Sequence, residues 1–226
     1  MTSFRPIKAI LFDLDGTLLD TLDDLADAAN RVLARAGLPV HDRAAYRRFV
    51  GDGSRMLITR ALPSEHRQPD RIETFLAAFK ADYGRHWAEA TRPYPGIPDL
   101  LAALSRRGIA CGVVTNKPQP FAERCVQHFF DETPFGIVHG QRETVPLKPH
   151  PQAARMAAAH LQVTVSNCLF LGDSGVDMET ARSAGMLPVG AAWGFRPREE
   201  LIRSGAHIVL EHPGEVLGWV DGERTA

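Results

Sequence analysis

The chain has 226 residues, 44% hydrophobic and 23% charged, with 26 Lys+Arg against 27 Asp+Glu and a net charge of -1. This is an ordinary globular composition, long enough for one sizeable core or a core plus a small inserted domain. The balanced charge argues against nucleic acid or an anionic membrane surface as partner, and no run approaches the ~18 apolar residues of a membrane span.

The expectation is therefore a cytoplasmic protein, monomer or homodimer, with no targeting segment at its N-terminus. Cys111, Cys125 and Cys168 are odd in number, widely spaced and without a CxxC pair. A disulfide framework or zinc site is disfavoured, and the strand-like runs around Cys111 and Cys168 mark these two as small core residues.

In chain order, Ile7–Phe12 is a short apolar run that reads as a buried strand. Asp13-Leu14-Asp15-Gly16-Thr17 follows at its tip. Thr21-Leu22-Asp23-Asp24 has the form of a capping box, and Leu22, Leu25, Ala29, Val32 and Leu33 recur at helical spacing as far as Gly37. Further helices are expected near 42–50, 54–62 and 69–88, with no strand signal between roughly 17 and 92. Arg92-Pro93-Tyr94-Pro95-Gly96 reads as a hinge.

Beyond the hinge, strands are expected at 109–115, 136–139, 168–171, 187–192 and 207–210. They alternate with helices at 100–107, 118–130, 151–161, 176–184 and 197–203. This alternation implies an α/β fold with a doubly wound, Rossmann-like parallel sheet, interrupted after its first strand by a helical insert. The expected domains are a core of residues 1–16 and 93–226 and an all-helical cap of residues 17–92.

Four strand tips carry unusual polar residues: Asp13 with Asp15, Thr115-Asn116-Lys117, Lys148-Pro149-His150-Pro151, and Gly172-Asp173-Ser174-Gly175-Val176-Asp177. On parallel strands these tips share one edge of the sheet, where open α/β sheets place ligands. Oxygen donors from Asp13, Asp173 and the main-chain carbonyl of Asp15 suit Mg²⁺. Lys148 and Thr115 can hold phosphate oxygens.

This inventory fits phosphoryl transfer, in which a carboxylate attacks phosphorus and a second carboxyl moves the proton. Each motif alone has an ordinary reading as a turn or helix cap. Their joint occurrence at strand tips does not.

These motifs resemble the haloacid dehalogenase-like hydrolase superfamily, and the helical insert is similar to that family's small cap. The resemblance implies Asp13 as nucleophile and Mg²⁺ ligand, and Asp15 as acid/base lending its carbonyl to the metal. It implies Thr115 and Lys148 on the transferring phosphate, Asp173 on Mg²⁺, and Asp177 supporting the metal site or pairing with Lys148.

Within the family, Asp13–Asp20, Val50-Gly-Asp-Gly-Ser-Arg55, Val113–Pro118 and Gly172–Met178 are most similar to the phosphoglycolate phosphatases. The expected partner is thus a small phosphorylated metabolite, 2-phosphoglycolate being favoured. A pyrophosphatase, a sugar-phosphate phosphatase or a phosphomutase on the same scaffold is the alternative, and a non-catalytic phospho-receiver or binding protein is the alternative of another class.

Specificity is expected in the cap, with Arg55 after Gly51-Asp52-Gly53-Ser54 as the residue that pairs with a substrate anion. Asn116 is expected beside the substrate. Trp193-Gly194-Phe195 is expected either at the pocket mouth or in the core.

Overall fold

The protein, as a computed structural model, is described over residues 6–131 and 135–222. The outermost residues of the expected core, 1–5 and 223–226, lie outside the described residues, as do 132–134.

Six parallel strands form one sheet in the order β5-β4-β1-β6-β7-β8. These are β1 (Ala9–Phe12), β4 (Ala110–Pro118), β5 (Phe135–Gln141), β6 (Cys168–Gly172), β7 (Leu187–Ala191) and β8 (Ile208–Leu210). The chain moves outward from β1 through β4 and β5, then crosses back to β6 on the other side of β1. That reversal opens a crevice at the strands' C-terminal edge.

Both sheet faces are covered, which explains the uninterrupted apolar runs. Ile10 and Phe12 of β1 and Leu169 and Leu171 of β6 face a cluster completed by α5 (Ile97–Arg106), α6 (Gln119–Phe129) and α10 (Val216–Asp221). Ala9, Leu11, Cys168 and Phe170 face the other way, onto α7 (Gln152–His160) and α8 (Gly175–Ala184). The small α9 (Arg198–Arg203) contributes Leu201 to a satellite cluster with Met178 and Val209. All three cysteines are buried free thiols.

Between β1 and β4 lie α1 (Leu22–Arg35), α2 (Arg43–Phe49), α3 (Ser54–Ala61) and α4 (Pro69–His86). They pack around their own apolar cluster, which includes Leu25, Leu33, Tyr46, Leu57, Phe79 and Tyr83.

Some details differ from the sequence reading. The segment read as strandless begins and ends in a short antiparallel ribbon of β2 (Leu19–Asp20) and β3 (Arg92–Pro93). Two residues are too few to show a period. The expected capping box at Thr21 is also absent, since Thr21 makes no side-chain cap bond. Asp24 instead accepts from Ala90 N, Thr91 N and Thr91 Oγ1 at 2.6–2.9 Å, which pins the first helix of the insert to its last residues. A capping box does form at α8, where the Ser174 side chain and Asp177 cap each other's amides.

Candidate active site

Asp13 remains tied to the sheet, its amide donating to Leu171 O at 2.9 Å. The chain then turns through Gly16, at φ +88°. A Cβ on Gly16 would lie 2.2 Å from Asp173 Oδ2, and one on Gly194 would lie 2.2 Å from Asp173 Cβ. Two glycines are therefore required for the loops after β1 and β7 to close around Asp173. Its Oδ1 accepts from Thr17 Oγ1 (3.2 Å) and its Oδ2 from Phe195 N (2.7 Å).

Lys148 is buried between two acids. Its Nζ lies 2.8 Å from Asp13 Oδ1 and 2.7 Å from Asp177 Oδ1. Asp177 Oδ2 accepts from the Ser174 amide (3.1 Å) and hydroxyl (2.5 Å), so both of its oxygens are engaged. The pairing of Asp177 with Lys148 matches the expectation.

Thr115 lines the cleft with its Oγ1 3.2 Å from the Lys117 amide. The strand bearing it runs further than read, to Pro118, through a pairing irregularity after Val114. Asn116 lines the cleft, where it was expected. Its carboxamide clamps the Lys148 backbone, accepting from N (2.8 Å) and donating to O (3.1 Å), and donates to Gly51 O at 3.0 Å. These bonds make it a support for Lys148.

Lys117 is the residue that sequence reasoning passed over. Its Nζ donates to Asp15 Oδ1 (2.9 Å) and to the hydroxyl of Tyr83 on α4 (2.8 Å). Both Lys117 and Tyr83 are buried. An amine two positions beyond Thr115 was visible in the sequence. Its partners, 34 and 102 residues away, were not.

Arg55 is not brought to the cleft. It is exposed on α3 and pairs with Glu73 of α4. Helix phase explains this: Leu57, Ile58 and Ala61 turn inward, which carries Arg55 and the exposed Met56 outward. The roof of the cleft is instead made by apolar side chains, Leu25, Val50, Leu57, Phe79 and Phe121, with Lys80 beside them on α4. Among the described residues the Lys80 side chain makes no hydrogen bond or ion pair.

The electrostatics call for a cation. Among the described residues Asp13, Asp15, Asp173 and Asp177 pair with only two cations, Lys117 and Lys148, so that full ionisation would leave an excess of two negative charges in the cluster. Burial, with Asp177 and Asp15 nearby, raises the Asp13 carboxyl to about 6 despite Lys148. Burial, Asp177 and Asp13 hold Asp173 well above the usual carboxylate range. Burial opposes the charge on Lys148, but Asp13 and Asp177 outweigh it and keep the ammonium form.

Oxygens of Asp13, Asp173 and Asp177 lie within 4.8 Å of one another. Asp177 has one oxygen on the Lys148 ammonium and the other on Ser174, whereas Asp173 is held only by neutral donors and Asp13 gives Lys148 only Oδ1, so Asp13 and Asp173 are the better placed donors to a metal. An all-oxygen donor set with two uncompensated charges fits a hard divalent ion.

The family model for haloacid dehalogenase-like hydrolases matches residues 10–191. N-acetylmuramic acid 6-phosphate phosphatase of Pseudomonas aeruginosa is 34% identical, the match covering 95% of each chain. Phosphoglycolate phosphatase of Rhodospirillum rubrum is 36% identical over 94% of this chain and 90% of its own. Among solved structures, CbbY from Rhodobacter sphaeroides in complex with phosphate superposes with a TM-score of 0.79 at 28% identity, covering 95% of this chain and 99% of that one. A crystal structure from Lactobacillus delbrueckii subsp. bulgaricus reaches a TM-score of 0.89 at 27% identity, with 96% and 99% coverage.

Proposed function

The chain belongs to the haloacid dehalogenase-like hydrolase family and is a phosphoric monoester hydrolase, and on that premise we propose that it works with Mg²⁺ through an aspartyl-phosphate on Asp13. The observation that carries this reading is the convergence of Asp13, Asp15, Lys148 and Asp173 at the C-terminal ends of β1, β5 and β6.

Asp13 and Asp173, with the Asp15 carbonyl, would hold the metal. Bound there, Mg²⁺ would neutralise charge on the phosphoryl oxygens. Asp13 attacks phosphorus as the bond to the leaving oxygen breaks, and Asp15 gives that oxygen its proton. Water then attacks the aspartyl-phosphate, Asp15 takes the water's proton, and phosphate leaves with the Asp13 carboxylate restored. Lys148, held by Asp177 and Asn116, and the Thr115 hydroxyl bind the phosphoryl oxygens throughout.

In this reading residues 17–92 are a cap that closes over a core of residues 1–16 and 93–226 and excludes water. The favoured substrate is 2-phosphoglycolate. Its carboxylate would meet Lys80, the uncommitted cation of the roof, in place of Arg55. A second reading is a bulkier carboxylated amino-sugar phosphate. The apolar roof of Leu25, Leu57, Phe79 and Phe121 favours it, as does the substrate named for the Pseudomonas relative.

The test is phosphate release from a panel of these esters, neutral sugar phosphates, nucleotides and pyrophosphate, with Mg²⁺ and with chelator. Metal-dependent release from a monoester is expected. No turnover, or turnover that survives complete metal removal, contradicts the proposal.

A further inference from the structure

Trp193-Gly194-Phe195-Arg196 follows β7 and lies in the core part of the chain, yet it touches both halves of the molecule. On one side it surrounds the Asp173 carboxylate. The Phe195 amide donates to Asp173 Oδ2 at 2.7 Å. Gly194 approaches so closely that a Cβ there would lie 2.2 Å from Asp173 Cβ and 2.4 Å from Gly16 O. The Trp193 indole donates to Thr17 O at 3.0 Å, and the Thr17 hydroxyl donates to Asp173 Oδ1 at 3.2 Å.

On the other side the same segment grips the helical insert. The Phe195 side chain is buried within the insert's own apolar cluster. The Arg196 guanidinium donates from Nη2 to Val50 O (2.9 Å) and Arg48 O (3.2 Å), at the C-terminal end of α2. Phe195 thus has its amide on Asp173 and its ring in the insert, with no residue between the two contacts to absorb movement.

We propose that Phe195 and Arg196 are positioning residues that make the placement of Asp173, and so the metal site, depend on how the insert is seated. The coupling rests on the metal reading above and adds to it a link between two parts of the chain. When the insert lifts, Phe195 loses its apolar bed and Arg196 loses its two carbonyl acceptors. The segment is then released, and Asp173 Oδ2 loses its amide donor. By linkage, a cation that favours the ordered carboxylate also favours the seated insert. Groups that orient a metal ligand typically change affinity about 10- to 100-fold when removed. Arg196, one residue further from the ligand, should fall at or below the low end of that range.

A simple packing contact predicts none of this, and two readouts separate the alternatives. The first is Mg²⁺ affinity by calorimetry at constant pH. Arg196→Met should bind Mg²⁺ about three- to tenfold more weakly than the unaltered protein, and Arg196→Lys should recover part of the loss. Glu200→Gln serves as control. Glu200 lies 3.7 Å from Arg196 Nε and accepts from the Gly175 amide at 3.2 Å, so it offers a different route to the site. The glutamine keeps that acceptor and should leave affinity unchanged.

The second readout is hydrogen exchange of the Phe195 amide by NMR. It should speed up about tenfold in metal-free Arg196→Met, while amides of β6 and β7 keep their rates. It needs no metal, so it tests the coupling even if the Mg²⁺ reading fails. Should Arg196→Met not fold, Arg196→Lys carries the same comparison with a smaller shift. Unchanged Phe195 exchange in a folded Arg196 variant overturns the proposal, as does unchanged Mg²⁺ affinity where the unaltered protein binds the ion. So does an effect of Glu200→Gln equal to that of Arg196→Met.

Discussion

The strand tips that floor the cleft and the helices that roof it use their polar groups in opposite ways. On the floor both lysines are already paired, Lys148 with Asp13 and Asp177, and Lys117 with Asp15. In the roof the side chains are largely apolar and Lys80 is uncommitted. On the proposed reading the floor is preorganised for one chemical group, a transferring phosphoryl, and would tolerate little change. On the same reading the roof would meet the variable part of a substrate, and altering it would leave that chemistry in place.

The sharpest way to break this contrast is at Asp13. Asp13→Asn should lower phosphate release on the order of 10⁴-fold or more. Its metal-free melting temperature should hold or rise, because the substitution removes a charge that burial, Asp177 and Asp15 disfavour. Residual turnover near that of the unaltered protein would remove Asp13 as nucleophile.

Lys117→Met comes next. It strips the partner from Asp15 and leaves the buried Tyr83 hydroxyl without its donor, which should destabilise the fold by about 3 kcal/mol and lower kcat roughly 10²-fold. A fully active, fully stable variant would make the Lys117 pairing incidental.

Acidity offers a third contrast. In the metal-free protein the Asp13 carboxyl sits at about 6, above its ordinary 3.8. The folded state therefore holds a proton over roughly pH 4–6 that the unfolded chain has released, and stability falls as pH rises through that window. Melting temperature in chelator should drop from pH 5 to pH 7, and Mg²⁺ should stabilise more at pH 7 than at pH 5. The opposite slope would mean that the carboxylates are compensated without a metal.

In the roof, Lys80→Met should reduce kcat/KM about tenfold for esters with a carboxylate on the leaving group and leave neutral sugar phosphates unchanged. Equal loss on both would remove Lys80 as a specificity residue. Arg55→Ala should be the mildest change, within about 0.5 kcal/mol in stability and within twofold in turnover, since among the described residues the Arg55 side chain reaches only Glu73.

The same contrast explains what was legible in the sequence. The floor could be read because each strand tip delivers its residues in one short run, Asp13 to Thr17 or Gly172 to Asp177, and the sheet brings the runs together. The strands and helices of the α/β core could be read for the same reason, each carrying its own period. What escaped depends on partners far away in the chain. Asp24 looks like a helix cap until Thr91 comes beside it. Lys117 looks like a turn residue until Asp15 and Tyr83 meet it. Arg55 sits next to cleft-lining Ser54 in sequence, but the phase of α3 turns it outward. Phe79, Lys80 and Tyr83 share one face of an ordinary amphipathic helix, and only the packing of α4 over the strand tips makes that face a roof. Helix α10 was missed because Gly218 interrupts its six residues, whereas the equally short α9 is announced by Pro197.

The central claim, a covalent phosphoryl group on Asp13, can be observed directly. The protein, mixed with a turned-over ester carrying ³²P and Mg²⁺ and quenched in acid within milliseconds, should carry label on the peptide containing Asp13. Hydroxylamine should release that label, and Asp13→Asn should show none. Turnover of the ester without label on that peptide at any quench time, or label that persists in Asp13→Asn, would contradict the account.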